Sequence, residues 1–166
     1  MEKLRIIALL LLAFCLSCKQ DQPKEVPVLR DDEVSNPKLV SELEAELKKA
    51  GYLTMNYVDE KTKDTVIMQQ YFMAFLKKGP NRDQSPAEAD SLQQLHLAHL
   101  GRMYELGYAD ISGPFGDDGD LRGITIYNTP TLQMADSLAH LDPMVQAGRL
   151  EIEIHPWWAA KGFPLR

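Results

Sequence analysis

The chain has 166 residues, 45% of them hydrophobic and 25% charged, enough for one globular domain with sequence to spare and too few for two large ones. Lys and Arg number 18 against 24 Asp and Glu, a net charge of −6, the wrong sign for neutralising nucleic-acid phosphates, so no nucleic-acid partner is expected. With 10 Gly and 10 Pro in an apolar-rich chain, collagen-like, coiled-coil and wholly disordered classes are also excluded.

At the N-terminus Lys3 and Arg5 precede an apolar run, Ile6 to Phe14, about half of the roughly 20 residues that span a bilayer. Residues 1–17 therefore read as a signal peptide. Their end, Cys15-Leu16-Ser17-Cys18, resembles a bacterial lipobox, in which the cut precedes a cysteine that becomes lipid-modified. Ser17 suits the position before the cut. Leu16 and Cys15 sit where the commonest version has a small residue and a leucine, as in the relaxed lipobox of some Gram-negative groups. The alternative is an ordinary secretory signal with an incidental cysteine. On the lipobox reading, loss of Lys3, Arg5 and Glu2 leaves 16 basic and 23 acidic residues, a net charge of −7. Acylation occupies the sulfur of Cys18, the one cysteine left, so disulfides, thiol catalysis and cysteine metal sites are excluded. The expected place is the cell envelope, facing the periplasm or the cell surface and held to the membrane through the lipid anchor only.

Residues 18–37 are polar, carry Pro23, Pro27 and the cluster Arg30-Asp31-Asp32-Glu33, and read as a tether. Leu39, Leu43 and Leu47, with Val40 between them, recur at helical spacing until Gly51. A polar turn, Asp59 to Asp64, then separates two apolar stretches, so residues 38–65 form a helix and hairpin extension. The strand from Thr65 to Leu76 carries Tyr71, Met73 and Phe75 on one face and Phe72, Ala74 and Leu76 on the other. Both faces ask for cover, and two helices on one side supply only one; a second copy of the chain is the expected cover for the other.

Ser85-Pro86-Ala87-Glu88 combines an N-cap serine, a first-turn proline and a capping-box glutamate. The helix it starts is predicted to run to about Leu106, with Leu92, Leu95, His96, His99, Leu100, Met103 and Leu106 on one inward stripe and Gly107 ending it. Tyr108–Ser112 and Arg122–Asn128 read as strands joined by a turn-rich loop, Gly113 to Asp120. A helix over Thr131–Leu141, a single turn from Asp142-Pro143 to Gly148, and a last strand in which Leu150, Ile152 and Ile154 alternate with Glu151, Glu153 and His155 complete the chain. From residue 66 to 160 the order is β-α-β-β-α-β, an α+β, ferredoxin-like arrangement with a short tail at 161–166.

The run from about Tyr71 to Trp158 resembles the YCII-related (YciI-like) family. The likeness lies in Lys77-Lys78-Gly79-Pro80-Asn81-Arg82, His96-Leu97-Ala98-His99-Leu100, Gly113-Pro114-Phe115-Gly116-Asp117-Asp118-Gly119, Asp142-Pro143-Met144-Val145-Gln146-Ala147-Gly148-Arg149 and His155-Pro156-Trp157-Trp158. It implies a ferredoxin-like fold whose subunits pack sheet against sheet as a dimeric α/β barrel, and an active-site pair of histidine and aspartate. Eliminations on chlorinated hydroxyquinols and isomerisations of muconolactones occur in such barrels, so likeness of fold says little about substrate.

On that resemblance His96 corresponds to the family histidine and Asp142 to the family aspartate. A histidine near neutral pKa can take a proton from an activated carbon or a phenol, and a carboxylate on its other nitrogen fixes the tautomer and steadies the imidazolium. Read without the resemblance, an inward histidine can equally be a hydrogen-bonded core residue, and Asp142 before Pro143 the N-cap of a short turn.

His99, three residues on, lines the same face. A metal shared by the two histidines lacks a third ligand in the motif, so no metal site and no cofactor is expected. His140 reads as complementing a helix C-terminus. The Gly113–Gly119 loop lacks the Gly-Lys-Ser/Thr ending of a phosphate loop and the bidentate Glu of a calcium loop, and reads as a solvated hairpin turn with Pro114 at its mouth. His99, Arg82, Arg122 and Pro114 are the candidate substrate-binding residues, the two arginines for holding an anionic group, although surface arginines among acidic neighbours are commoner. Trp157 and Trp158 are expected to pack over the barrel rim. Two functions fit: proton-transfer chemistry, isomerisation or elimination, on a small polar or aromatic molecule, or a lipoprotein that binds a ligand or partner without turnover.

Overall fold

The computed structural model describes residues 37–163 and residue 165. The signal peptide, Cys18 and the tether expected over residues 18–37 lie outside the described residues, save for Pro37, where the first helix starts. Among the described residues no helix is long and apolar enough to cross a membrane.

The elements in chain order are α1 (Pro37–Lys49), β1 (Thr54–Val58), β2 (Thr65–Lys78), α2 (Pro86–Glu105), β3 (Ala109–Pro114), β4 (Leu121–Tyr127), α3 (Leu132–Ala139), α4 (Pro143–Gln146) and β5 (Leu150–Ala160). All strands pair antiparallel, in the order β5-β2-β4-β3 that two interleaved β-α-β units produce. The fold is therefore α+β and ferredoxin-like from β2 onward. Strand β1 joins the same edge of β2 as β4 but further back: it pairs with residues 65–69 and β4 with 72–77, while β5 runs along the opposite edge over 68–78.

Alternation along β2 separates two cores. Phe72 and Ala74 pack with Met103, Ala109, Tyr127, Ala135 and Ala139 beneath α2 and α3. Leu76 continues that face against Met144 and Leu150 under α4. Ile67, of opposite parity, packs instead with Val40, Leu43, Leu47 and Tyr52. Helix α1 therefore lies on the other side of the sheet, and the second face is not left wholly to a partner. The stretch beyond α1 stays open: Met73 and Phe75 are half-buried, and Ile111 and Trp157 are exposed.

The Ser85 capping box forms as the sequence predicts, with the Ser85 hydroxyl accepting from the Glu88 amide and the Glu88 carboxylate accepting from the Ser85 amide. Two expectations for the helices are corrected. In α2, Leu95 is 52% exposed rather than inward; Met103 and His96 carry the buried side. In α1, Val40 rather than Leu39 joins Leu43 and Leu47 in the core.

Candidate active site

Asp142 stands where α3 ends and α4 begins. Its Oδ1 accepts the Met144 amide at 2.9 Å, capping α4, and Pro143 supplies the first helical residue without wasting a donor. Helix α4 is a single turn and holds its place through its neighbours. Met144 is buried with Leu76 and Leu150, worth about 1.5–3 kcal/mol for a side chain of that size. The segment 79–82 hooks onto its far end: the Gly79 amide donates to the Arg149 carbonyl, the Asn81 amide to that of Gly148, Asn81 Nδ2 to that of Ala147 and Arg82 to that of Arg149. A Cβ at residue 79 would collide with the Gly148 carbonyl, so the approach requires glycine, and Gly148 itself takes a positive φ of 67°. Two of the sequence segments that carry the family resemblance are thus one structural unit, and that unit sets the position of Asp142.

His96 reaches Asp142 from the middle of α2. Its Nδ1 lies 2.6 Å from Asp142 Oδ2, although 46 positions separate the residues in the chain. An ionised carboxylate only accepts, so Nδ1–H donates and the neutral ring keeps its lone pair on Nε2. Both side chains are largely withdrawn from water, at 10% exposure for His96 and 4% for Asp142, where a charge-assisted hydrogen bond is stronger than at the surface. Chemistry at this pair has to pass through His96 Nε2.

His99 sits beside the pair. Burial is the main cause that pushes its pKa down; the Asp142 carboxylate opposes this, His96 and Arg102 add to it, and a hydrogen bond to the Leu138 backbone opposes it. Its Nε2 is sealed and has no hydrogen-bond partner among the described residues. The other candidates do not meet the pair in any hydrogen bond. Arg82 is exposed and engaged with the Arg149 carbonyl. Arg122 is tied within its own loop, to Asp118 Oδ1 at 2.9 Å and to the Gly119 carbonyl at 3.2 Å. Pro114 is exposed at the end of β3, opposite Gly123. His140 closes α3, its Nδ1 2.9 Å from the Asp136 carbonyl oxygen, and His155 meets Glu153 at 2.9 Å on the open sheet face. Among the described residues no group of three His, Cys, Asp or Glu gathers as a metal site.

A second polar cluster has no counterpart in the sequence reading. Gln69 and Asn128 are wholly buried; Gln69 Nε2 donates to Asn128 Oδ1 at 2.7 Å, and Asn128 Nδ2 donates to both oxygens of Asp110, at 3.2 and 3.3 Å. Burial first, then the nearby Asp110 carboxylate, raises the pKa of Tyr71 well above the tyrosine range. The only signal available in sequence is that Gln69 shares the parity of Ile67 and Tyr71 in β2, a polar residue on an apolar face.

No family model matches the chain, and no curated protein matches it. Among solved structures the chain is similar to 5-chloro-2-hydroxyhydroquinone dehydrochlorinase from Burkholderia phenoliruptrix AC1100, in complex with 2,5-dihydroxybenzoquinone. The identity is 22%, the match covers 52% of this chain and 92% of that one, and the TM-score is 0.40.

Proposed function

We propose that the protein is a YciI-like general acid–base enzyme in which His96 is the base and Asp142 orients it. The observation that carries this reading is the 2.6 Å contact between His96 Nδ1 and an Asp142 whose second oxygen is already held by the Met144 amide. A carboxylate fixed at one oxygen cannot swing away, so the imidazole is held in one tautomer with Nε2 as the proton acceptor.

On this reading Nε2 takes a proton from a carbon or phenol of a small polar or aromatic substrate. In an elimination the freed C–H pair becomes a new double bond while the leaving group departs with its own bonding pair. In an isomerisation the imidazolium returns the proton to a different atom of the same molecule. In both, Asp142 stabilises the transient imidazolium, and burial lowers the pKa of His99, which disfavours a competing positive charge beside it. The further parts of the proposal are a homodimer packed through the open sheet face as an α/β barrel, membrane attachment through Cys18 and residence in the cell envelope. The chain then divides into a signal peptide at 1–17, a tether at 18–37, an α1–β1 extension at 38–65, the catalytic domain at 66–160 and a tail at 161–166.

A second reading, a lipoprotein that binds a small ligand without turnover, is favoured by one observation: nine-tenths of the His96 side chain is buried. A thermal-shift screen of small phenols, hydroxyquinones and lactones, followed by turnover assays of the hits with the wild type and His96→Ala, separates the two. Turnover that disappears in the variant while its dimer and fold persist supports the enzyme; equal binding with no turnover in either supports the binding module.

A further inference from the structure

Strand β1 is the least covered strand of the sheet. Among the described residues it pairs only with β2, so its outer edge carries backbone groups with no strand beside them. Successive side chains along it point to opposite sides. Thr54 and Asn56 turn toward α1, where both donate to the Glu44 carboxylate, at 3.4 and 2.8 Å. Leu53, Met55 and Tyr57 turn the other way and are 57%, 50% and 49% exposed. Three large apolar side chains two positions apart make a bare strip about 13 Å long, unlike apolar residues scattered singly over a surface. The strip runs toward the end of the fold where the described chain begins. The Tyr52 amide donates to the Leu47 carbonyl and Asn56 meets Glu44, so contacts step back along α1 as they step forward along β1. Pro37 therefore lies at the end of the α1–β1 unit nearest Tyr57, and Leu39 in the first turn of α1 is exposed as well. Nineteen positions separate Pro37 from Cys18, a length of chain that can extend no farther than about 65 Å.

Resting on the lipid anchor at Cys18 proposed above, we propose that the Leu53–Met55–Tyr57 strip is the seat of the domain on the bilayer to which that anchor ties it. Acyl chains in the membrane make the second contact intramolecular, so an apolar strip too small to hold a free protein suffices for a tethered one. The seat is shallow. The open edge of β1 cannot enter hydrocarbon, where its backbone groups would lose water without gaining partners, whereas the headgroup layer keeps them hydrated and suits the phenol of Tyr57. The contact is apolar rather than electrostatic, because the neighbouring turn sets Asp59, Glu60 and Asp64 against Lys61 and Lys63 and offers anionic lipid no net positive charge. Helix α4 packs on β5, which lies across β2 from β1, so Leu141 and Asp142 are held away from the bilayer.

The test places the acylated chain, with 13C-labelled leucine and methionine methyl groups, in phosphatidylcholine nanodiscs with and without a nitroxide-headgroup lipid. The expected result is that the nitroxide broadens the Leu53 and Met55 methyl signals and spares that of Leu141, which is equally exposed on the far side. The double variant Met55→Ser, Tyr57→Ser abolishes the broadening at Leu53, and exchanging phosphatidylcholine for phosphatidylglycerol does not increase it. Leu53 and Met55 signals that stay sharp, broadening equal to that of Leu141, or broadening seen only with phosphatidylglycerol overturns the proposal. Sharp signals together with nuclear Overhauser contacts between the Met55 methyls of two differently labelled copies would give the strip to a second copy instead. The seat fails separately from the anchor, which is read from the mass of the same sample. Acyl groups on Cys18 with silent Leu53 and Met55 methyls refute the seat and keep the anchor. A chain without acyl groups refutes the anchor, and the same methyls, read after the Cys18 thiol is coupled to a maleimide lipid, still decide whether the strip meets the bilayer.

Discussion

Replacing Asp142 by Asn or by Ala separates its two duties. Asn keeps a carbonyl oxygen for the Met144 amide, so the cap on α4 survives, but it turns an NH2 group toward His96 Nδ1. The ring then accepts at Nδ1 and carries its proton on Nε2, the wrong tautomer for a base. Ala removes the cap, about 1 kcal/mol, and leaves the Nδ1–H buried without a partner, a further 1–3 kcal/mol. At roughly 3–6 °C per kcal/mol for a domain of this size, Asp142→Ala should melt about 6–24 °C below the wild type, and Asp142→Asn only a few degrees below it. The assay is a pair of thermal melts by circular dichroism with 15N-resolved imidazole spectra of His96, which report the tautomer directly. Equal melting temperatures for the two variants, or a His96 tautomer unchanged in Asp142→Asn, would refute the reasoning from the shared carboxylate.

His99 makes stability depend on pH. Its folded pKa is depressed, so the unfolded chain binds the extra proton first; the stabilisation is complete above the unfolded value of about 6.5 and is lost as pH falls through the folded value. Urea melts between pH 7.5 and 5 should show this slope, and His99→Asn should flatten it. The open sheet face carries Met73 and Phe75, so light scattering should give twice the chain mass for the wild type and a single chain for Phe75→Glu. Cys18→Ser should move the protein from the membrane fraction to the soluble one and abolish the acyl mass increment.

Much of the fold is written in local patterns. The capping box at Ser85–Glu88, the glycines that end helices at 107 and 148 and the two-faced strand β2 each act over a few residues, and the observed elements follow them closely. What the patterns could not convey is which surface an amphipathic element chooses. The leucine spacing of α1 announces a buried stripe, but only the parity of Ile67 in the folded sheet shows that the stripe goes to the face opposite α2 and α3. Leu95 satisfies helical periodicity and is still uncovered, because periodicity gives the direction of a stripe and not how much of it a neighbouring element covers. For the site, an inward His96 and an N-cap at Asp142 are both legible locally. Their meeting depends on the hook of residues 79–82 onto Gly148 and Arg149, a contact between segments some 67 positions apart. The Gln69–Asn128–Asp110 cluster is illegible for the same reason: an amide in or beside a strand resembles a solvent-facing residue until a partner from another segment is beside it.

The claim at the centre of this account is that His96 is a base. Proton NMR in D2O reads it most directly, by following exchange of weakly acidic C–H groups in a panel of hydroxyquinones, phenols and lactones with the wild-type protein and with His96→Ala. If His96 is the base, at least one class exchanges faster with the wild type, and His96→Ala lowers that rate by roughly 10²- to 10⁴-fold with its dimer and fold retained. Exchange at the same rate with both proteins, accompanied by a lower melting temperature in the variant, would contradict it and leave His96 as a structural residue of a binding protein.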